Sequence, residues 1–140
     1  MFVLFDSLSQ ADSENVDVTF PKETASKTVE EWALTKGGVC RILTLTNCKN
    51  VCDEAAEKIA TYCAHLSKLS AADTSISDWG ANLIATSSPG LEKCFVNGSN
   101  VSDEGAAIIA KKCRDLQMFA LSRTCFSDMG ARSVASNCKR

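Results

Sequence analysis

The sequence predicts an α/β fold built as a repeat solenoid, with short parallel strands on a concave face and helices on a convex one. Three observations carry that expectation. Asp53, Asp78, Asp103 and Asp128 stand 25 residues apart, and the columns around them recur at the same lag. The stretch ahead of each aspartate alternates apolar and polar residues, as a half-buried strand does. The stretch behind it spaces apolar residues three and four apart, which puts them on one face of a helix.

The elements follow in order. Residues 1–15, rich in Ser, Asp and Glu from Asp6 onward, are expected to be flexible or held by a partner. Residues 16–38 read as a degenerate amino-terminal repeat that caps the core. In it Val16, Val18 and Phe20 alternate as a strand ended by Pro21, and Thr28–Leu34 forms a helix closed by Gly37 and Gly38. Residues 39–140 then hold four units of about 25 residues. Their strands are carried by Leu43 and Leu45, Leu69 and Ala71, Cys94 and Val96, and Phe119 and Leu121. Val51, Ile76, Val101 and Phe126 precede the aspartates by two.

Ser77, Ser102 and Ser127 are the expected N-caps of the helices that follow, with Cys52 a poorer substitute in the first unit. The aspartate beside each cap suits the positive end of the helix dipole. Next comes a column of small residues, Ala55, Gly80, Gly105 and Gly130, which lets the first helical turn approach the loop beneath. Ile59, Ile84, Ile109 and Val134, each followed by alanine, should line one buried row. A unit with one strand and one helix cannot bury both apolar faces alone, so the copies must stack.

At these residues the chain resembles the cysteine-containing leucine-rich repeats of F-box substrate receptors and related proteins. Their unit runs roughly C-x-x-L-x-x-L-x-L-x-x-C-x-x-[IV]-[TS]-D-x-G. Cys40, Leu43, Leu45, Cys48, Val51 and Asp53 carry it here. Later units shorten the loop by one residue and put Thr74, Ser99 and Thr124 where Cys48 stands. The resemblance covers about residues 38–140 and implies a leucine-rich-repeat solenoid. It also implies the roles such short arrays take, including accessory subunits of mitochondrial complexes and axonemes. The proline-led helical pattern of an F-box is missing ahead of the repeats, so a complete ubiquitin-ligase receptor is not expected.

Composition excludes several other classes. Fifteen basic residues against seventeen acidic ones, with no basic run, leave no concentrated positive field for nucleic acid or an anionic membrane. Met1–Phe5 is apolar but Asp6 follows at once, too short for a secretory signal. No stretch approaches the roughly 20 apolar residues of a membrane span, so direct membrane insertion is not expected. The reading is intracellular and cytoplasmic, with a mitochondrial or ciliary complex as the alternative. The eight cysteines are then expected as reduced thiols.

Residue chemistry speaks against an enzyme. Cys63, Cys113 and Cys138 share one repeat column, the place of buried structural thiols. Cys48 and Cys52 are four apart, but no second close pair exists and His65 is the sole histidine, so no zinc site is expected. A cysteine nucleophile would need His65 to reach a thiol. The sequons at Asn97 and Asn100 go unused in an intracellular chain. No cofactor, metal or catalytic residue is assigned.

What remains is surface. With Leu69 and Ala71 facing the core, Lys68, Ser70 and Ala72 face the concave side. Ile42, Thr44 and Thr46, then Lys93, Phe95 and Asn97, then Met118, Ala120 and Ser122 take the same places. Exposed Ile42, Phe95 and Met118 among small neutral residues mark a patch for a protein partner. The last unit lacks a polar cap in this sequence, so Leu121, Phe126 and Val134 should form an apolar end covered by a partner chain. The expected function is a non-enzymatic protein-protein interaction module, an adaptor or accessory subunit of a larger multiprotein assembly. The alternative is a substrate-recognition fragment of an F-box-like ubiquitin-ligase receptor.

Overall fold

The computed structural model describes residues 16–124 and 127–138. Strand β1 (Val16–Thr19) leads to helix α1 (Ser26–Lys36), and a 3₁₀ turn (Gly37–Val39) connects it to β2 (Cys40–Thr44). Then α2 (Asp53–Tyr62), β3 (Lys68–Ser70), α3 (Asp78–Ser87), β4 (Lys93–Phe95), α4 (Asp103–Lys112), β5 (Met118–Ala120) and α5 (Asp128–Asn137) alternate. Among the described residues the strands form one parallel sheet in the order β1-β2-β3-β4-β5. Each helix packs on the next along the row. Sequence neighbours are thus spatial neighbours throughout, as a leucine-rich-repeat-like solenoid requires.

The core lies between sheet and helices. Leu43, Leu69 and Cys94 are registered across the sheet and buried, and Ile59, Ile84 and Ile109 are buried opposite them. Val134 continues that row but is only half-buried, because no described unit lies beyond it. At the other end Val18, Phe20, Val29, Trp32 and Ala33 are buried, with the Phe20 and Trp32 rings edge to face at 5.3 Å.

Units are joined by more than apolar contact. The Asp53 carboxylate accepts from Ser77 N (2.8 Å) and Ser77 Oγ (2.5 Å) of the next unit. Asp78 does the same with Ser102 N (2.7 Å) and Oγ (2.5 Å). Asp103 repeats it with Ser127 N (2.6 Å) and Oγ. The Ser127 hydroxyl, followed by its backbone N–H, holds the Asp103 carboxyl below its ordinary value. Ser77 and Ser102 also cap their own helices, accepting from Trp79 N and Glu104 N, whereas Ser127 and Cys52 make no such bond. The aspartate column therefore does more than complement a dipole: it bridges units.

That bridge explains the small-residue column. A Cβ on Gly80 would fall on Asp53 Oδ1 and stand 2.9 Å from Ala56 Cβ, and one on Gly105 would fall on Asp78 Oδ1. The carboxylate of the unit before occupies the glycine's space. At Ala55, in the same column, the unit before offers Ser26 in place of an aspartate, its Oγ 3.4 Å from Cys52 Sγ.

Two local details differ from expectation. The first helix runs Ser26–Lys36, longer than Thr28–Leu34 at both ends, and closes at Gly37 as expected. Gly37 has a φ of −65°, and a Cβ there would come within 2.6 Å of Cys63 Sγ, so close packing accounts for the glycine. Ala72 is 8% exposed and so is not open on the concave side; the strand ends at Ser70 and the chain then turns through Asp73 at φ 55°.

Candidate functional site

Strand alternation sends one set of side chains into the core and the other to the open face of the sheet. Two registered rows cross that face. Asp17, Ile42, Lys68, Lys93 and Met118 form the first; Thr19, Thr44, Ser70, Phe95 and Ala120 form the second. Ile42, Thr44, Lys68, Ser70, Lys93 and Phe95 are half-buried, and Met118 is 49% exposed. The Lys68 ammonium lies 5.9 Å from the centre of the Phe95 ring, within range of a cation–π contact. Ser70 Oγ and Thr46 Oγ1 are 2.8 Å apart. The face thus has two lysines in register at its middle and apolar Ile42, Phe95 and Met118 around them.

A ridge borders the face where each strand ends. Asn47, Asp73, Gly98 and Arg123 take positive φ in turn, and the ladder continues through Asn47 N to Ala72 O, Asp73 N to Asn97 O and Gly98 N to Ser122 O. Gly98, at φ 67°, also leaves room for Asp73, whose carboxylate reaches past it to Arg123 Nη2 at 3.2 Å. Asn97 Oδ1 accepts from Ser122 N (2.9 Å) and lies 3.1 Å from Ser122 Oγ, so its sequon sits in a hydrogen-bonded ridge.

The far end of the sheet is different. Phe119, Leu121 and Val134 are half-buried, while the residues that match them one unit earlier, Cys94, Val96 and Ile109, are buried. Phe126, assigned to the same end, lies outside the described residues. Of the ten assigned positions, seven from Ile42 to Met118 come together on the open face, and Leu121 and Val134 belong to the end.

The helix side carries features that the repeat columns did not flag as surface. Trp79 is 53% and Met129 78% exposed, in a column otherwise held by Glu54 and Glu104. A large apolar residue in a glutamate column was the available signal. A groove of about 210 Å³ between α1 and α2 is lined by Lys27, Glu30, Glu31, Leu34, Lys58 and Tyr62, mostly charged.

Most of the described thiols are buried. Burial pushes Cys40 and Cys63 up to about 12 and Cys113 up to about 11, and raises Cys48 and Cys94 as well. Cys63 is buried while His65 is exposed, so the sole histidine does not share the thiol's environment. Cys52 is half-buried and donates to Glu54 Oε2 at 2.7 Å, which lowers the Glu54 pKa. Among the described residues no group of three His, Cys, Asp or Glu side chains could hold a metal ion, and no helix is long and apolar enough to cross a membrane.

Comparison with solved structures finds a likeness to "Leiomodin-1 Actin-Binding Site 2 (ABS2)", at 15% identity and a TM-score of 0.63. It covers 96% of this chain and 84% of that one. At that identity the likeness speaks for the fold, a leucine-rich-repeat-like solenoid. No family model matches the sequence, and no curated protein does.

Proposed function

We propose that this protein is a non-enzymatic interaction module, an adaptor or accessory subunit that binds a protein partner across the open face of its sheet. The observation that carries the reading is the gathering of Ile42, Phe95 and Met118 on one registered face with Lys68 and Lys93 between them. Large apolar groups there cost solubility and add nothing to the core, whereas aromatic and methionine side chains are enriched where protein partners dock. The solved structure that the fold resembles is titled an actin-binding site, which supports a binding role for this architecture. The non-enzymatic part of the reading is supported by Cys40 and Cys63, thiols that burial keeps protonated and hence weakly nucleophilic.

Size constrains the partner. Four gaps of about 4.8 Å across strands some 10 Å long give a face on the order of 200 Å². A standard interface buries roughly 800 Å² on each partner. The open face therefore acts as an anchor for a narrow segment, with further contact over the ridge and the end face formed by β5 and α5.

The test is affinity capture from cells with quantitative mass spectrometry, comparing the protein with its Phe95→Ala/Met118→Ala variant. Loss of the captured proteins by about tenfold or more is expected if these two side chains act as binding anchors. Capture unchanged by the double substitution would rule out the open face. The identities of the captured chains decide between mitochondrial, axonemal and ubiquitin-ligase assemblies.

A further inference from the structure

Lys68 and Lys93 are direct Cα partners on adjacent parallel strands. Like charges placed side by side on a sheet destabilise it. Among the described residues neither lysine is paired with a carboxylate, since the ion pair there is Arg123 with Asp73 on the ridge. Asp17 shares their row but stands two strands from Lys68, beyond Ile42. Within the fold the Phe95 ring, 5.9 Å from the Lys68 ammonium, is the one partner seen for either cation, and it does not neutralise their charge. Natural sequences break such local rules where a ligand supplies the missing partner. The chain as a whole is acidic, so this positive spot is local.

We infer that the segment bound by the open face is acidic: an extended stretch of another protein with carboxylates set among bulky apolar side chains, lying across β3 and β4. This rests on the reading of the open face as the binding surface and adds the partner's chemistry. A carboxylate between the two ammonium groups accepts hydrogen bonds from both and relieves their repulsion. An apolar side chain beside it packs on Phe95 and Met118. The narrowness of the face favours a single extended strand over a folded surface. Two cations are too few for a nucleic-acid backbone, whose binding sums many phosphate contacts.

The experiment measures fluorescence anisotropy of labelled peptides of about ten residues on the full chain. One peptide alternates Glu with Leu and Phe, one replaces every Glu with Lys, and a single-stranded oligonucleotide is the third probe. The acidic peptide should bind, with affinity falling between about 50 and 300 mM salt as screening sets in. Lys68→Gln/Lys93→Gln should weaken it about tenfold or more, and Lys68→Arg/Lys93→Arg should restore it. The glutamine variant loses a like-charge pair, so its melting temperature should hold or rise, which separates lost binding from lost folding. Equal binding of the lysine peptide, an affinity unmoved by the glutamine variant, or tighter binding of the oligonucleotide would overturn the inference. If Phe95→Ala/Met118→Ala abolishes capture from cells while Lys68→Gln/Lys93→Gln does not, the acidic chemistry is wrong and the open face stands.

Discussion

At the scale of single residues, the stability of this protein depends on where atoms are missing as much as on where they are present. Gly80 is the clearest case. Alanine is the better helix former by about 1 kcal/mol, so on propensity alone Gly80→Ala would stabilise α3. The added Cβ, however, would occupy the place of Asp53 Oδ1 and press on Ala56 and Ile76. Overpacking of this kind costs about 1–3 kcal/mol, so Gly80→Ala is expected to lower the denaturant midpoint. An unchanged or raised midpoint would show that the Asp53–Ser77 bridge does not need that space. The thiols give a second prediction at this scale. Burial raises Cys40 and Cys63 from an ordinary 9.0 to about 12, so the folded state holds the proton more tightly than the unfolded chain. Their contribution is complete below the unfolded value and is lost as pH rises from about 9 toward 12. Urea midpoints should therefore fall between pH 8 and pH 10.5, roughly the window in which only the unfolded thiols ionise. At neutral pH a thiol reagent should label Cys52 while Cys40 and Cys63 stay protected until unfolding; labelling of all three at one rate would contradict their burial.

Among the elements, the repeats differ by their neighbours more than by their own sequence. Ile84 and Val134 hold the same place in α3 and α5, yet Ile84 is buried between units and Val134 is half-buried at the end. Ile84→Ala should cost about 2–5 kcal/mol, because the cavity cannot collapse between two packed helices. Val134→Ala should cost well under half of that, about 1 kcal/mol or less, because one side of the valine already meets solvent. Comparable losses in the two variants, measured by chemical denaturation, would mean that the end is covered in the free protein. The joint between β1–α1 and the next unit is also distinct. Ser26 and Cys52 stand there in place of an aspartate and a serine, with one contact of 3.4 Å in place of two shorter bonds. That joint lacks the charge-assisted bridge of the interior ones.

For the molecule as a whole, much of the architecture was legible from periodicity. A lag of 25 residues exposed the repeat, and the change from alternation to helical spacing within each unit separated strand from helix. The row of Ile59, Ile84 and Ile109 followed, because each residue is buried for the same reason in each copy. The bridges from aspartate to serine were not legible. Both columns were visible, but columns show which positions share a role, not which positions touch across units. The burial of Ala72 was not legible, because alternation does not say where a strand stops. Trp79 and Met129 were legible only by contrast with Glu54 and Glu104 in the same column, a signal that the buried columns do not carry. The open face was legible as geometry, since outward positions follow from inward ones. Its partner was not, because exposed side chains record no packing partner.

Whether partners meet the sheet or the helices is asked directly by site-specific photo-crosslinking in cells. A photoreactive amino acid at Thr44 or Ala120, on the open face, should yield a discrete crosslinked partner. The same group at Trp79, on the helix side, should yield none. Crosslinks from position 79 with none from positions 44 and 120 would contradict binding by the open face.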